Sequence, residues 1–294
     1  MAELTFTGER YVPGLDWPDI SYEHWHRYLY AAEFAAGKQV LDIACGEGYG
    51  SALLAEVATR VVGVDIDPEI VGFAAHKYPR ANLEFRPGPA HAIPVSETEA
   101  FDLVLSFETL EHMTEEHQRQ FLTDVKRRLK PEGVLLVSTP NKLLYSDQPN
   151  YTNPFHVKEL YREEFRDLLR GFFGTVKIFG QTVYPASYIW PVADRAETIS
   201  EHQLVFSRGH FTPVKSDEKQ LRYMLAACSD ARPALTRGSL LIDLSHRLTA
   251  QLHEHLATTD GAVERLQLAL DEQKATALAL RRQSTTRIQP AFRG

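Results

Sequence analysis

The run QVLDIACGEGYG at residues 39–50 constrains this chain more than any other stretch. A short apolar segment ends in Asp42 and is followed at once by Gly46, Gly48 and Gly50. The pattern predicts a buried strand, a tight glycine loop and a helix opening near Tyr49 or Ser51. Such a loop brings backbone close to a ligand, because glycine has no Cβ and tolerates positive φ. Phosphate and dinucleotide loops use the same device, so the acid before the loop decides. A carboxylate there repels a pyrophosphate and suits an ammonium group. VVGVDIDP (61–68) predicts a second buried strand ending at Asp65. An acid at that strand tip is placed to accept both ribose hydroxyls of an adenosine. The alternative is that Asp65 or Asp67 caps the next helix, with Pro68 in its first turn.

These segments resemble a known family. DIACGEGYG and GVDID are similar to the first two motifs of the class I S-adenosylmethionine-dependent methyltransferases. DLVLSFETLEHM (102–113) is similar to the fourth, and LKPEGVLLVSTPN (129–141) to the strand after it. The resemblance implies an α/β fold: a doubly wound, seven-stranded, Rossmann-like sheet with the cofactor across the carboxyl ends of its first strands. It implies S-adenosylmethionine as cofactor, whose cationic amino group fits the acid before the loop. The cofactor residues on this reading are Asp42, Ala44, Gly46, Gly48, Asp65, Ile66, Gly88, Ala90 and Ser106. The family often has Gly-Asp after its third strand; here the run is Gly88-Pro89-Ala90, so adenine meets backbone or solvent instead. On the helix before the first strand, Arg27 and Tyr28 are candidates for the methionyl carboxylate, which a guanidinium binds bidentately. A surface ion pair of Arg27 with Glu23 or another acid is the alternative. His24 and His26 lie on opposed faces of that helix, and Arg10 in TGER is a candidate lid residue.

The 294 residues suffice for one large α/β domain and an appendage. A formal net charge of −7 gives no general attraction to nucleic acid. Two cysteines, Cys45 and Cys228, make no disulfide framework and suit a reducing compartment. Cys45 reads as a small residue packed under the glycine loop. No apolar run approaches membrane-spanning length, and the N-terminus lacks a signal-peptide pattern, so the expectation is a cytoplasmic protein.

Residues 1–37 read as a lid arm followed by an amphipathic helix over 21–36. The catalytic domain is expected over 38–235. Its strands fall near 39–43, 61–65, 82–86, 102–107, 133–138, 175–181 and 221–229. Helices are expected over 49–57, 68–78, 115–129 and 158–170. Lys130-Pro131-Glu132-Gly133 reads as a helix stop followed by a turn. Residues 182–219 read as an irregular, aromatic-rich insertion that shapes the substrate site or packs on an edge. From 236 to 283 leucines recur at helical spacing, among them Leu240, Leu244, Leu248, Leu266 and Leu270. This predicts a helical, coiled-coil extension and a homo-oligomer formed through it. Residues 284–294 read as a disordered tail.

Methyl transfer displaces a sulfonium, and an alkyl hydroxyl acceptor needs a local base or a metal. After the fourth strand, Glu108, Glu111 and His112 stand at i, i+3 and i+4, which on a helical turn share one face. Two carboxylates and an imidazole suit Mg²⁺ or Mn²⁺. The E-x-x-E-H run followed by a distant His resembles the metal set of small-RNA 3′-terminal 2′-O-methyltransferases, and E-x-x-E-H also that of ubiquinone-biosynthesis O-methyltransferases. The resemblance implies Glu108, Glu111, His112 and His156 as ligands, with His156 at a helix start, and Glu111, His112 and His156 as the catalytic groups. Without a metal, His112 or His156 is the base.

TGER, HWHRY, STPN, NPFH, ISEHQLVFS and LRYMLAACSDARP together resemble bacterial glycan-associated sugar O-methyltransferases. That resemblance implies a sugar hydroxyl of a glycan or glycan intermediate as acceptor. Tailoring of a glycosylated secondary metabolite, RNA 3′-end methylation and a non-catalytic cofactor-binding scaffold are the competing readings. The acidic balance speaks against RNA.

Overall fold

The computed structural model describes residues 11–12, 18–189, 191, 200–207, 209–214, 219–231 and 237–248, and scattered positions from 250 to 273. Its elements run α1 (Pro18–Ala35), β1 (Gln39–Ile43), α2 (Tyr49–Leu54), β2 (Arg60–Asp65), α3 (Pro68–Lys77), β3 (Leu83–Pro87) and β4 (Phe101–Ser106). They continue with α4 (Glu115–Arg128), β5 (Leu129–Pro140), α5 (Arg162–Arg170), β6 (Thr175–Gln181), β7 (Gln203–Ser207), β8 (His210–Val214) and β9 (Tyr223–Ser229). The main sheet has seven strands in the order β3-β2-β1-β4-β5-β9-β6. β1 through β5 pair in parallel, whereas β9 runs antiparallel to both β5 and β6. This is the doubly wound sheet that the motifs imply.

The inner strands read as near-continuous apolar runs because helices cover both their faces. On one face Leu41, Ile43, Val104, Leu135 and Val137 meet Phe121 and Leu122 of α4 and Phe165 and Leu169 of α5. On the other, Val40, Leu103, Leu105 and Leu136 meet Tyr28, Tyr30, Ala31 and Ala35 of α1. Successive residues of one strand thus feed opposite cores.

Four expectations need correction. Lys130–Gly133 is not a free turn: the helix stops at Arg128, but the chain runs straight into a long β5 whose pairing with β4 is irregular at its start. The last helix of the parallel half begins at Arg162, not 158, because Val157 and Lys158 donate their amides to the Glu111 carbonyl, at 2.8 and 3.0 Å. Glu164 then reaches back to the Tyr161 amide, 3.0 Å away, and caps the first turn. The insertion holds a regular β7–β8 hairpin, with Gly209 at φ 83° beside its turn. Glu108 does not share a helical face with Glu111 and His112: it sits at φ 51°, outside the short 3₁₀ turn Leu110–His112.

The contacts divide the chain into Met1–Leu241 and Ile242–Gly294. Most of the expected lid arm, Arg10 included, lies outside the described residues, as do most of the coiled-coil segment and all of 284–294. Of the tail leucines described, Leu244, Leu256 and Leu266 are exposed. Among the described residues no helix is long and apolar enough to cross a membrane.

Candidate functional site

The parallel register brings the carboxyl ends of β1, β2, β4 and β5 to one edge of the sheet, where a doubly wound fold binds its ligands. β9 enters that edge with Tyr223 opposite Pro140.

The glycine loop turns through positive φ at Ala44 (59°), Gly46 (53°) and Gly48 (80°). At Ala44 this costs roughly 1–2 kcal/mol, which the surrounding contacts hold in place. Gly48 has no room for a side chain: a Cβ there would stand 2.6 Å from the Phe85 ring. Asp65 stands half-buried at the β2 tip and accepts the Gly46 amide at 2.9 Å and the Asp67 amide at 3.1 Å. Asp67 is a helix cap, accepting from Glu69 and Ile70. Ile66 is exposed beside them, and the Gly88 amide bonds the Asp65 carbonyl at 2.8 Å. Gly88 packs against Pro94, and Ala90 lies against the core.

Asp42 is placed differently from Asp65. It is fully buried beneath the loop, where its carboxylate accepts Ser51 Oγ at 2.6 Å and Tyr28 Oη at 3.2 Å. Burial pushes its pKa up to about 7. The side chain ties α1 and α2 to β1, so it shapes the loop from below. Cys45 is buried in the same place, as a packed thiol.

Arg27 is 2 % exposed, so the ion pair it makes, with Glu108, is not a surface one. Its Nε donates to Gln181 Oε1 at 2.6 Å, its guanidinium lies 4.8 Å from the Tyr223 ring centroid, and Nη1 is 3.4 Å from Glu108 Oε1. Among the described residues, Nη1 and Nη2 have no hydrogen-bond partner, and neither has the buried hydroxyl of Ser106 at the β4 tip. Buried polar atoms of this kind await a ligand or water. His24 is half-buried against Tyr11 and Tyr49, while His26 sits elsewhere on α1 with its Nε2 unbonded among the described residues.

Three of the four expected ligands converge. Glu111, His112 and His156 each offer an atom within 4.8 Å of the others. Glu111 is buried, accepts Thr139 Oγ1 at 2.9 Å, and has its pKa driven well up by desolvation and by nearby Glu108. His112 Nδ1 meets the Phe155 carbonyl at 3.1 Å. His156 Nδ1 meets Glu159 Oε1 at 2.5 Å, and its Nε2 meets the Asn153 amide at 3.1 Å. Ser146 Oγ donates to the other Glu159 oxygen at 2.6 Å. Glu108 turns instead to Ser138, which donates at 2.6 Å, and to Arg27. Sequence reasoning missed Ser138, Thr139 and Glu159. The first two stand in the STPN run, and the third stands three residues after His156.

Residues 41–137 match the family model of a methyltransferase domain. A Mycolicibacterium smegmatis protein named a probable S-adenosylmethionine-dependent methyltransferase is 40% identical over 174 residues, covering 56% of this chain and 63% of its own length. A ubiquinone biosynthesis O-methyltransferase of Maricaulis maris is 32% identical over 108 residues, covering 36% of this chain and 42% of its own. The chain thus spans less than two thirds of the length of these curated relatives. A chain from the complex of the Haloferax volcanii Trm112 methyltransferase activator with a methyltransferase superposes with a TM-score of 0.50 at 18% identity, covering 74% of this chain and 95% of that one. Over residues 41–137 the chain is similar to methyltransferase domains, and its sheet order and glycine loop are those of a doubly wound α/β fold.

Proposed function

We propose that the chain is an S-adenosylmethionine-dependent O-methyltransferase that methylates a sugar hydroxyl of a glycan or glycan intermediate. The observation that carries this reading is the Glu111–His112–His156 cluster at the carboxyl ends of β4 and β5, beside the cofactor loop. A carboxylate beside two imidazoles is the kind of base or ligand set that a weakly acidic alkyl hydroxyl requires.

In this reading Asp65 takes the ribose hydroxyls. Ala44, Gly46 and Gly48 carry backbone past the ligand, with Asp42 and Tyr28 fixing the loop from beneath. Ile66, Gly88 and Ala90 line the adenine. Arg27 offers its unbonded Nη atoms to the methionyl carboxylate, and Ser106 its hydroxyl beside them.

The cluster also fits a divalent Mg²⁺ or Mn²⁺. Each His has Nδ1 tied to an oxygen acceptor, a carbonyl or a carboxylate, as ligating imidazoles usually do, and His156 would exchange its Nε2 contact with the Asn153 amide for the ion. Glu111 would supply the hard oxygen ligand, with Glu108 close by for a bound water. A bound divalent ion would supply Lewis acidity, lowering the pKa of the acceptor hydroxyl. Where no ion is bound, the protein's own part is to hold that hydroxyl against the imidazole of His112 or His156, which takes its proton as the oxygen bonds the methyl carbon. The sulfonium C–S bond breaks and its electron pair returns to sulfur.

Methyl transfer from labelled S-adenosylmethionine to a panel of glycosides tests the reading. EDTA should abolish transfer and Mn²⁺ should restore it, with cofactor affinity by calorimetry unchanged. Full turnover by protein shown to be metal-free removes the metal and leaves a His as sole base. Transfer to phenols or RNA ends but to no glycoside removes the sugar acceptor.

A further inference from the structure

Beyond β5 the chain enters a π-helical turn, Leu143–Asp147, none of whose side chains is buried. Single π-helical turns are frequent at functional sites. Here the turn is pinned at the catalytic edge. The Tyr145 amide bonds the Asn141 carbonyl, and the Asn141 amide bonds the Arg222 carbonyl, both at 2.9 Å. Tyr145 and Arg222 are therefore fixed to the same residue at the end of β5.

The Tyr145 ring stacks on His156, 5.4 Å between centroids at 24°, and meets Tyr151 edge-on at 5.8 Å. Tyr151 is 49% exposed, although its amide is held by the Ser146 carbonyl at 2.9 Å. The two rings make an open aromatic wall that ends against the imidazole of the reacting cluster. Arg222 closes its other side, with the guanidinium carbon 5.9 Å from the Tyr145 centroid. Arg222 is exposed. Its guanidinium interacts first with the Tyr223 side chain, by charge and hydrogen bond, and then with Glu23 and Asp19 of α1. Glu23 is buried, with its pKa raised to about 7, and is drawn more strongly to Arg27. It is then an incomplete counter-charge for Arg222 at neutral pH.

We propose that Tyr145, Tyr151 and Arg222 form the acceptor subsite, and that its ligand is an anionic sugar, a pyranose carrying a carboxylate or a phosphate. The rings take the apolar C–H face of the pyranose, and Arg222 pairs bidentately with the acid. The assignment rests on the sugar-acceptor reading and deepens it.

The test uses the full chain loaded with S-adenosylhomocysteine. Neutral methyl glycosides, the matching methyl glycuronides and the sugar 1-phosphates are titrated in the gluco, manno and galacto series, with binding followed by saturation-transfer NMR. At least one anionic series should bind about 10-fold tighter than its neutral counterpart, the value of a charged hydrogen-bonded pair. Whether the glycuronide or the phosphate leads identifies the acid. Arg222→Gln should bring the anionic and neutral ligands to parity without weakening the neutral one, and Arg222→Lys should recover part of the gap. Tyr151→Ala should weaken every series that binds. Cofactor calorimetry on each variant shows that the fold is intact. Sugars that bind wild type but do not distinguish acid from neutral, or bind the variants equally well, overturn the subsite and leave the sugar reading standing. Binding of no sugar to wild type removes that reading and the subsite with it.

Discussion

Glu23 and Asp42 are carboxyl groups that the fold takes out of water in two different ways. Asp42 is compensated by two hydroxyl donors and holds the glycine loop from beneath. Glu23 is compensated by charge, chiefly from Arg27, which opposes but does not cancel the desolvation that raises its pKa from 4.5 to about 7. Between those two pH values the unfolded chain has released the Glu23 proton while the native chain keeps it. The native state binds more protons, so stability falls as pH rises through this window and the loss is complete above about pH 7. The size is at most on the order of 3 kcal/mol, since one unit is about 1.4 kcal/mol. Glu23→Gln should flatten the dependence of urea-unfolding free energy on pH between about 4.5 and 7. Asp42, raised by burial in the same direction, keeps a residual slope in that variant. A slope identical to that of wild type would show that Glu23 ionises in the native state as it does in the unfolded chain.

At the scale of elements, the contact of α1 with α2 rests on the absence of a side chain at Gly50. A Cβ there would stand 2.1 Å from Tyr28 Cζ, inside the ring that bonds Asp42. Gly50→Ala should therefore destabilise the protein by roughly 1–3 kcal/mol, the range for forced overpacking. Gly72, within α3, has nothing within 4 Å of its hypothetical Cβ. Gly72→Ala should stabilise by roughly 0.5–1 kcal/mol, as alanine does in an open helix position. Paired denaturant midpoints check both, and the same sign for the two would contradict the packing argument. What was legible in the sequence follows the same division between local and distant causes. Strands 39–43 and 61–65 were legible because strands buried on both faces are unbroken apolar runs. The insertion of β9 between β5 and β6 was not, since nothing local encodes which neighbours a strand takes. The start of α5 was misplaced because its upstream residues are held by the carbonyl of Glu111, distant in sequence. Glu111, His112 and His156 were found from residue type and a resemblance, and the structure brings them together. Glu108 was expected among them on an assumed helical turn, and its positive φ sends it to Ser138 and Arg27 instead.

On the scale of the whole molecule, the division at Leu241 and the spacing of leucines beyond it bear on assembly. Arg237 belongs with the catalytic unit: its carbonyl accepts Tyr30 Oη at 3.1 Å and its guanidinium pairs with Glu33 at 2.9 Å. A cut intended to spare the catalytic unit must fall after these contacts, so residues 1–241 make the informative truncation. Leu244, Leu256 and Leu266 are exposed in the single chain. Burying a leucine against a partner contributes about 1.5–3 kcal/mol, so a few such residues in register offset the entropy of association. If the tail pairs copies of the chain, as its heptad-like spacing suggests, the full protein should sediment as an oligomer and residues 1–241 as a smaller species. The truncated protein should keep its thermal midpoint and its affinity for S-adenosylmethionine, because the loop, Asp65 and the cluster around Glu111 all lie within the first unit. Analytical ultracentrifugation over a range of concentrations decides the matter. Equal assembly states with and without the tail would sink self-association through these leucines. A loss of cofactor affinity on truncation would show that the two units are not separable.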